Sequence, residues 1–140
     1  MGLTALDTGV LVAFLDGSDP FHQAAVNEML IAAECEMLLP AVAYSELAVV
    51  MLVADVGLDF LDEVLAGLRI KVGKLDQAAS AAAAGLRAHS LRDRRRRQWR
   101  MPDALVVGEA LAWGAETLVT TDARWPMVRA GLEIKVLRPL

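Results

Sequence analysis

Asp7, Glu46, Asp103 and Asp122 are the residues of this chain best placed to do chemistry. Asp7 ends the short apolar run Leu3–Leu6. Glu46 comes early in the long apolar stretch that follows the run Glu36–Leu39 and Pro40. Asp103 follows Pro102 at a helix start, and Asp122 follows the run Thr117–Thr120. In an open parallel sheet, the ends of strands and the starts of the next helices face one edge, where ligands bind. Carboxylates gathered there repel one another and lose stability. A hard divalent cation such as Mg²⁺ or Mn²⁺ reverses that cost, because it takes oxygen ligands and keeps several waters. Such a site activates water and clamps a phosphodiester for in-line displacement. Each acid also has a local alternative. Asp7 and Asp122 could cap helices, Asp103 favours a helix dipole wherever it points, and Glu46 could simply face solvent. Their joint occurrence at one sheet edge is what favours a site.

Other chemistries lack their parts. Two histidines and one cysteine cannot make a zinc set. Ser45 has no evident histidine partner for a triad. No Gly-x-x-x-x-Gly-Lys-Ser/Thr loop and no Gly-x-Gly-x-x-Gly fingerprint occurs. The six methionines read as core filler.

The formal net charge of −4 hides an uneven distribution. Six of the fourteen basic residues lie between Arg92 and Arg100, with Asp93 as the one acid among them, so this window carries +5. The remainder carries −9. Arg94, Arg95, Arg96, Arg97 and Arg100 are candidates to meet phosphates, and Trp99 to stack on an exposed base. The plainer alternative is a solvated loop or helix end. An acidic pocket alone would repel a polyanion, and the basic segment ends three residues before Asp103.

The elements that must hold these residues follow from patterning. The runs Leu3–Leu6, Glu36–Leu39, Ile70–Val72, Thr117–Thr120 and Ile134–Leu137 read as strands. Helices are expected over 8–15, 21–34, 41–56, 58–68, 76–89, 102–113 and 122–130, with Asp76 as an N-cap and Pro102 in a first turn. This alternation predicts a parallel sheet with helices on both faces. At 140 residues, with 56% hydrophobic side chains, one domain over 1–140 is expected and disorder is excluded. No apolar run is long enough for a membrane span, and no signal peptide is visible. One cysteine cannot form an internal disulfide, which points to a reducing, cytoplasmic location.

Leu6-Asp7-Thr8 with Val10–Leu15, then Ser45-Glu46, Pro102-Asp103-Ala104 and Leu118–Asp122 with Trp125, resemble the successive motifs of a PIN domain. The length and spacing look like a VapC-type toxin of a toxin-antitoxin pair. The resemblance spans nearly the whole chain. It implies a three-layer α/β/α sandwich around a parallel sheet of about five strands. It implies a Mg²⁺- or Mn²⁺-dependent endoribonuclease acting on RNA such as tRNA or rRNA, a VapB-type antitoxin, and a homodimer with no membrane partner. Position by position, it makes Asp7, Glu46, Asp103 and Asp122 the four acids, with Asp7, Asp103 and Asp122 on metal. Thr120 is the supporting hydroxyl, and Thr8 the residue after the first acid. Two positions depart from the pattern. Gly9 stands where serine or asparagine is common, and Arg124 where many relatives have another acid or asparagine.

Three rivals remain at this level. A PIN-like scaffold without catalysis would bind RNA or protein and need no cation. A haloacid-dehalogenase phosphatase would need an aspartate where Gly9 stands. A response-regulator receiver would need acids where Ala5 and Leu6 precede Asp7.

Overall fold

The computed structural model describes residues 2–93, 95, 97–125 and 131–140. Five strands and six helices alternate along these residues: β1 (Leu3–Leu6), α1 (Thr8–Leu15), α2 (His22–Ala32), β2 (Glu36–Leu39), α3 (Ala41–Val53), α4 (Leu58–Gly67), β3 (Ile70–Val72), α5 (Gln77–Arg92), α6 (Met101–Ala112), β4 (Thr117–Thr120) and β5 (Glu133–Val136). The sheet is wholly parallel, in the order β3-β2-β1-β4-β5. Right-handed crossovers then put α5 and α6 on the face opposite α1 to α4, since β3-to-β4 runs back across the sheet. This is the α/β architecture expected of the sequence.

The central strands are buried on both faces, which is why they read as continuous apolar runs. Ala5, Leu6, Leu38, Leu39, Leu118 and Val119 are fully buried and form the core with Val10, Leu11, Leu47, Val106 and Val107. The edge strand β5 is tied to α2 by Lys135, whose Nζ lies 2.6 Å from the buried Glu28 carboxylate. No helix among the described residues is long and apolar enough to cross a membrane.

The order in which strands are added reverses at β1. The chain leaves β1 for β2 on one side and returns to β4 on the other, so the switch point lies between β1 and β4. Ligands of open α/β sheets bind beyond the strand ends at such a point. Asp7 closes β1 there, and its N–H donates to the Val119 carbonyl at 2.9 Å.

Two helix bounds change. The helix expected over 76–89 continues to Arg92, so the basic segment opens on a helix end. The helix expected over 122–130 does not begin at Asp122. A turn occupies Ala123 and Arg124, and 126–130 lie outside the described residues.

The alanine-rich α5 has a packing reason. Ala79 and Ala83, one turn apart and fully buried, meet Gly108 of α6. A Cβ on Gly108 would run into the Ala83 nitrogen and the Ala79 carbonyl oxygen, both backbone atoms. Gly→Ala within a helix ordinarily gains about 1 kcal/mol. Here overpacking against rigid backbone wins, and Gly108→Ala is expected to destabilise the fold by about 1–3 kcal/mol. A urea midpoint lowered accordingly is the expected result; an unchanged or raised midpoint contradicts the packing.

Candidate active site

Asp7 stands at the N-cap position of α1, yet its carboxylate makes no capping hydrogen bond to the helix. It is instead held from β4, where the Thr120 hydroxyl donates to Asp7 Oδ2 at 2.8 Å. Thr120 is itself fully buried. The same Thr120 oxygen accepts the Asp122 N–H at 3.1 Å. One hydroxyl thus joins the Asp7 carboxylate, just past β1, to the Asp122 backbone, just past the neighbouring β4.

Thr8 does comparable work on the other side. Its hydroxyl donates to the Ala43 carbonyl in the first turn of α3, at 3.2 Å. That helix carries Glu46 five residues after its first residue, Ala41. Glu46 is solvent-exposed. Asp103 is in the first turn of α6, which has Pro102 beside it and Arg100 at the N-cap.

The electrostatics join the acids into one group. Burial pushes the Asp7 carboxyl up to about 6, against the lowering effect of the Thr120 hydrogen bond, and the charges of Glu46 and Asp103 add to the rise. Glu46 is also raised, by burial first and then by Asp103. Asp103 is raised by burial first and then by Asp122, with Arg100 and Arg124 opposing. Three acids from three distant segments thus disfavour one another's ionisation.

Asp122 behaves differently. The Arg124 guanidinium binds it through Nε at 3.1 Å and Nη2 at 3.2 Å, and the Arg124 N–H donates to Asp122 Oδ1 at 2.9 Å. The guanidinium holds the Asp122 carboxyl below the usual range. A direct metal role for Asp122 therefore requires displacing Arg124. That pair is solvent-exposed on the arginine side, with 72% of the side chain accessible, so the displacement is inexpensive.

Among the described residues, no set of three or more His, Cys, Asp and Glu is gathered so as to hold a metal ion directly. The donor chemistry nonetheless fits a hard cation. Asp7 and Asp103 are half-buried oxygen donors with raised pKa values, and Mg²⁺ uses one or two carboxylates and fills its shell with water.

Beside the acids lies a cavity of about 240 Å³. Its lining includes Asp103 and Asp122 together with Arg97, Arg100 and Arg124. Arg97 is fixed there by donating to the Arg124 carbonyl at 3.2 Å. Arg95 is exposed, and its N–H donates to Asp93 Oδ1 at 3.2 Å. Arg94 and Arg96 lie outside the described residues. Trp99 corrects the expectation of an exposed stacking platform. It is 4% exposed, its ring meets Trp125 edge-on at 5.6 Å, and its N–H donates to Ser90 Oγ at 3.1 Å. Its carbonyl accepts from Arg87 Nη1 at 2.6 Å. An aromatic ring buries more apolar area than any other side chain, and here that gain anchors the basic segment to α5.

The two departures from the motif pattern have structural correlates. Arg124 is the ion-pair partner of Asp122. At Gly9 a Cβ would overlap Thr121 Oγ1, so the missing side chain leaves room for a hydroxyl supplied from the β4 end.

Sequence reading missed Glu109. This α6 residue is fully buried, and both its carboxylate oxygens accept from the Ala41 N–H at 3.1 Å. The available signal was its spacing, three residues after the buried Val106 and next to the buried Ala110.

The raised Asp7 pKa has a consequence for stability. The folded state holds the Asp7 proton up to about pH 6, whereas an unfolded chain loses it near 3.8. Stability from this residue is therefore present below about pH 4 and is lost as pH rises through 6, by on the order of 2–3 kcal/mol. Asn keeps an acceptor for Thr120 and cannot ionise. Asp7→Asn is expected to raise the metal-free melting temperature at pH 7.5, with the advantage vanishing below pH 4. Equal melting temperatures at pH 7.5 contradict this.

Comparison with known proteins agrees with the geometry. The family model of the PIN domain matches residues 4–131. A search of curated protein sequences finds no match. Among solved structures, VapBC2 of Rickettsia felis bound to a DNA fragment from its promoter is similar, with a TM-score of 0.74 at 17% identity, covering 97% of this chain and 99% of that one. FitAcB of Neisseria gonorrhoeae gives 0.68 at 19% identity, over 94% and 96% of the two chains. VapC20 of Mycobacterium tuberculosis, a sarcin-ricin loop cleaving toxin, gives 0.61 at 13% identity, over 82% and 86%. With a family match over nearly its whole length and this parallel α/β fold, the chain belongs to the PIN domain family.

Proposed function

We propose that this protein is a Mg²⁺- or Mn²⁺-dependent endoribonuclease, the VapC-type toxin of a toxin-antitoxin pair. The observation that carries the reading is the coupling of Asp7, Glu46 and Asp103, brought from three distant segments to one sheet edge beside an arginine-lined cavity. Mutual repulsion of this kind has no structural benefit, and a cation relieves it.

In this reading Asp7 and Asp103 hold the cation, and Asp122 joins them when Arg124 is drawn away. A bound divalent cation supplies Lewis acidity to the phosphodiester and a source of activated water. Thr120 keeps Asp7 Oδ2 occupied and so fixes how the carboxylate is presented. Glu46 is exposed and raised in pKa, which suits an oxygen that takes a proton from the attacking water. Arg97 and Arg100 neutralise the RNA backbone at the cavity, together with Arg94, Arg95 and Arg96 of the same segment.

The partner in this reading is a VapB-type antitoxin. The similar solved structures include VapBC2, FitAcB and a toxin-antitoxin complex from Klebsiella pneumoniae. Val49, Leu52, Val53 and Phe60 on α3 and α4 are about half exposed or more, an apolar surface that an antitoxin segment would cover. A homodimer acting on tRNA or rRNA in the cytoplasm belongs to the same reading.

One observation favours a second reading, a PIN scaffold without catalysis: Arg124 already neutralises one of the four acids. Incubation with a cellular RNA pool separates the two. Wild type with Mg²⁺ or Mn²⁺ is expected to generate new RNA ends at defined positions. EDTA should abolish them, and Asp103→Asn should reduce their rate at least a hundredfold while circular dichroism stays unchanged. RNA binding with no metal-dependent ends would establish the scaffold instead.

A further inference from the structure

Glu109 is an ionisable side chain that no cation meets among the described residues. Its carboxyl group is fully buried, and among those residues its hydrogen-bond partner is the Ala41 N–H, which both oxygens share at 3.1 Å. Burying a carboxylate on these terms is expensive. Its surroundings are nonetheless built around it. Gly73, in the loop after β3, is bare because a Cβ there would collide with Glu109 Oε2. Gly73 is held over the site by its own N–H, which donates to the Leu39 carbonyl at 2.9 Å. Gly108, next to Glu109, lets α6 press onto the backbone of α5.

Ala41 is the first residue of α3, and the preceding Pro40 has no side-chain acceptor with which to cap the helix. The first N–H groups of a helix need acceptors, and its positive end favours an anion. Glu109 supplies both from a different helix. A serine at position 40 would cap α3 through the N–H of Val42 or Ala43 at far lower cost, so helix capping in general does not call for a carboxylate reaching across from α6. What it adds is a tie between helices. α3 carries Glu46 five residues after Ala41, and α6 carries Asp103 six residues before Glu109.

We infer that Glu109 is a positioning residue: its buried carboxylate clamps the start of α3 to α6 and thereby fixes Glu46 relative to Asp103. The consequence for metal rests on the endoribonuclease reading above, whereas the clamp itself does not.

The test uses the full chain in three variants. Glu109→Gln keeps one acceptor oxygen for Ala41. Glu109→Leu removes the tie together with the buried charge, an exchange that folds often tolerate. Pro40→Ser combined with Glu109→Leu gives α3 its own cap without joining it to α6. Two readouts are taken. Spin labels at the exposed positions Val49 of α3 and Ala112 of α6 report the inter-helix distance without metal. Mn²⁺ affinity is measured by electron paramagnetic resonance.

Glu109→Gln is expected to keep a narrow distance distribution and Mn²⁺ affinity within about threefold of wild type. The double variant is expected to melt near wild type, with a broadened distribution and at least a tenfold loss of Mn²⁺ affinity. A double variant with wild-type distance and affinity overturns the clamp and leaves Glu109 a helix cap. Should Glu109→Leu fail to fold by itself, the double variant and Glu109→Gln still decide. If wild type binds no Mn²⁺, the metal reading fails, and the distance distribution alone decides the clamp.

Discussion

The withdrawal of neighbouring carboxylates from water is the constraint on which the rest of this structure depends. Burial first, and then repulsion from another acid, disfavours the ionised forms of Asp7, Glu46 and Asp103, so the sheet edge is destabilising to its own fold. A frame of hydrogen bonds holds it together. Thr120 bridges the β1 and β4 acids, Thr8 ties the β1 end to α3, and Glu109 ties α3 to α6. Every segment that carries an acid is linked to the next by a polar side chain that is not one of the four. Strain stored and held by surrounding structure is the usual state of a site prepared for a ligand.

Charge elsewhere follows from that choice. An acidic edge that meets a polyanion, as proposed, needs nearby cations, and the basic segment between α5 and α6 places Arg97 and Arg100 at the adjoining cavity. Those arginines are useful only if the segment is anchored. Trp99 does this by burying its ring against Trp125 and bonding its backbone to Ser90 and Arg87. Arg124 then acts on the acids themselves, pairing with Asp122 and, with Arg100, easing the ionisation of Asp103, while no cation offsets the rise at Asp7 and Glu46.

Much of this was legible from the residues. The first four strands were readable to their ends, β1, β2 and β4 as largely apolar, buried runs and the edge strand β3 by its Ile70-Lys71-Val72 alternation, whereas the partly buried β5 was displaced by one residue. The four acids were legible because strand ends and helix starts share one edge. Thr120 and Thr8 came from family resemblance rather than from any local signal. Trp99 was misread because an aromatic within an arginine run looks exposed, and only tertiary packing against Trp125 reveals otherwise. Glu109 was not legible as part of the site: its partner, Ala41, lies 68 residues away, and its role appears only once α3 and α6 are brought together.

The central claim is that this edge is poised for a divalent cation and that ionised Asp7 is part of what attracts it. The most direct measurement is the shift in melting temperature caused by Mg²⁺ at pH 5 and at pH 7.5. Asp7 is protonated in the folded state at the lower pH and ionised at the higher, with its midpoint at about 6. A Mg²⁺-induced rise that is clear at pH 7.5 and much smaller at pH 5 is the predicted result. No rise at either pH, or the same rise at both, would contradict the account.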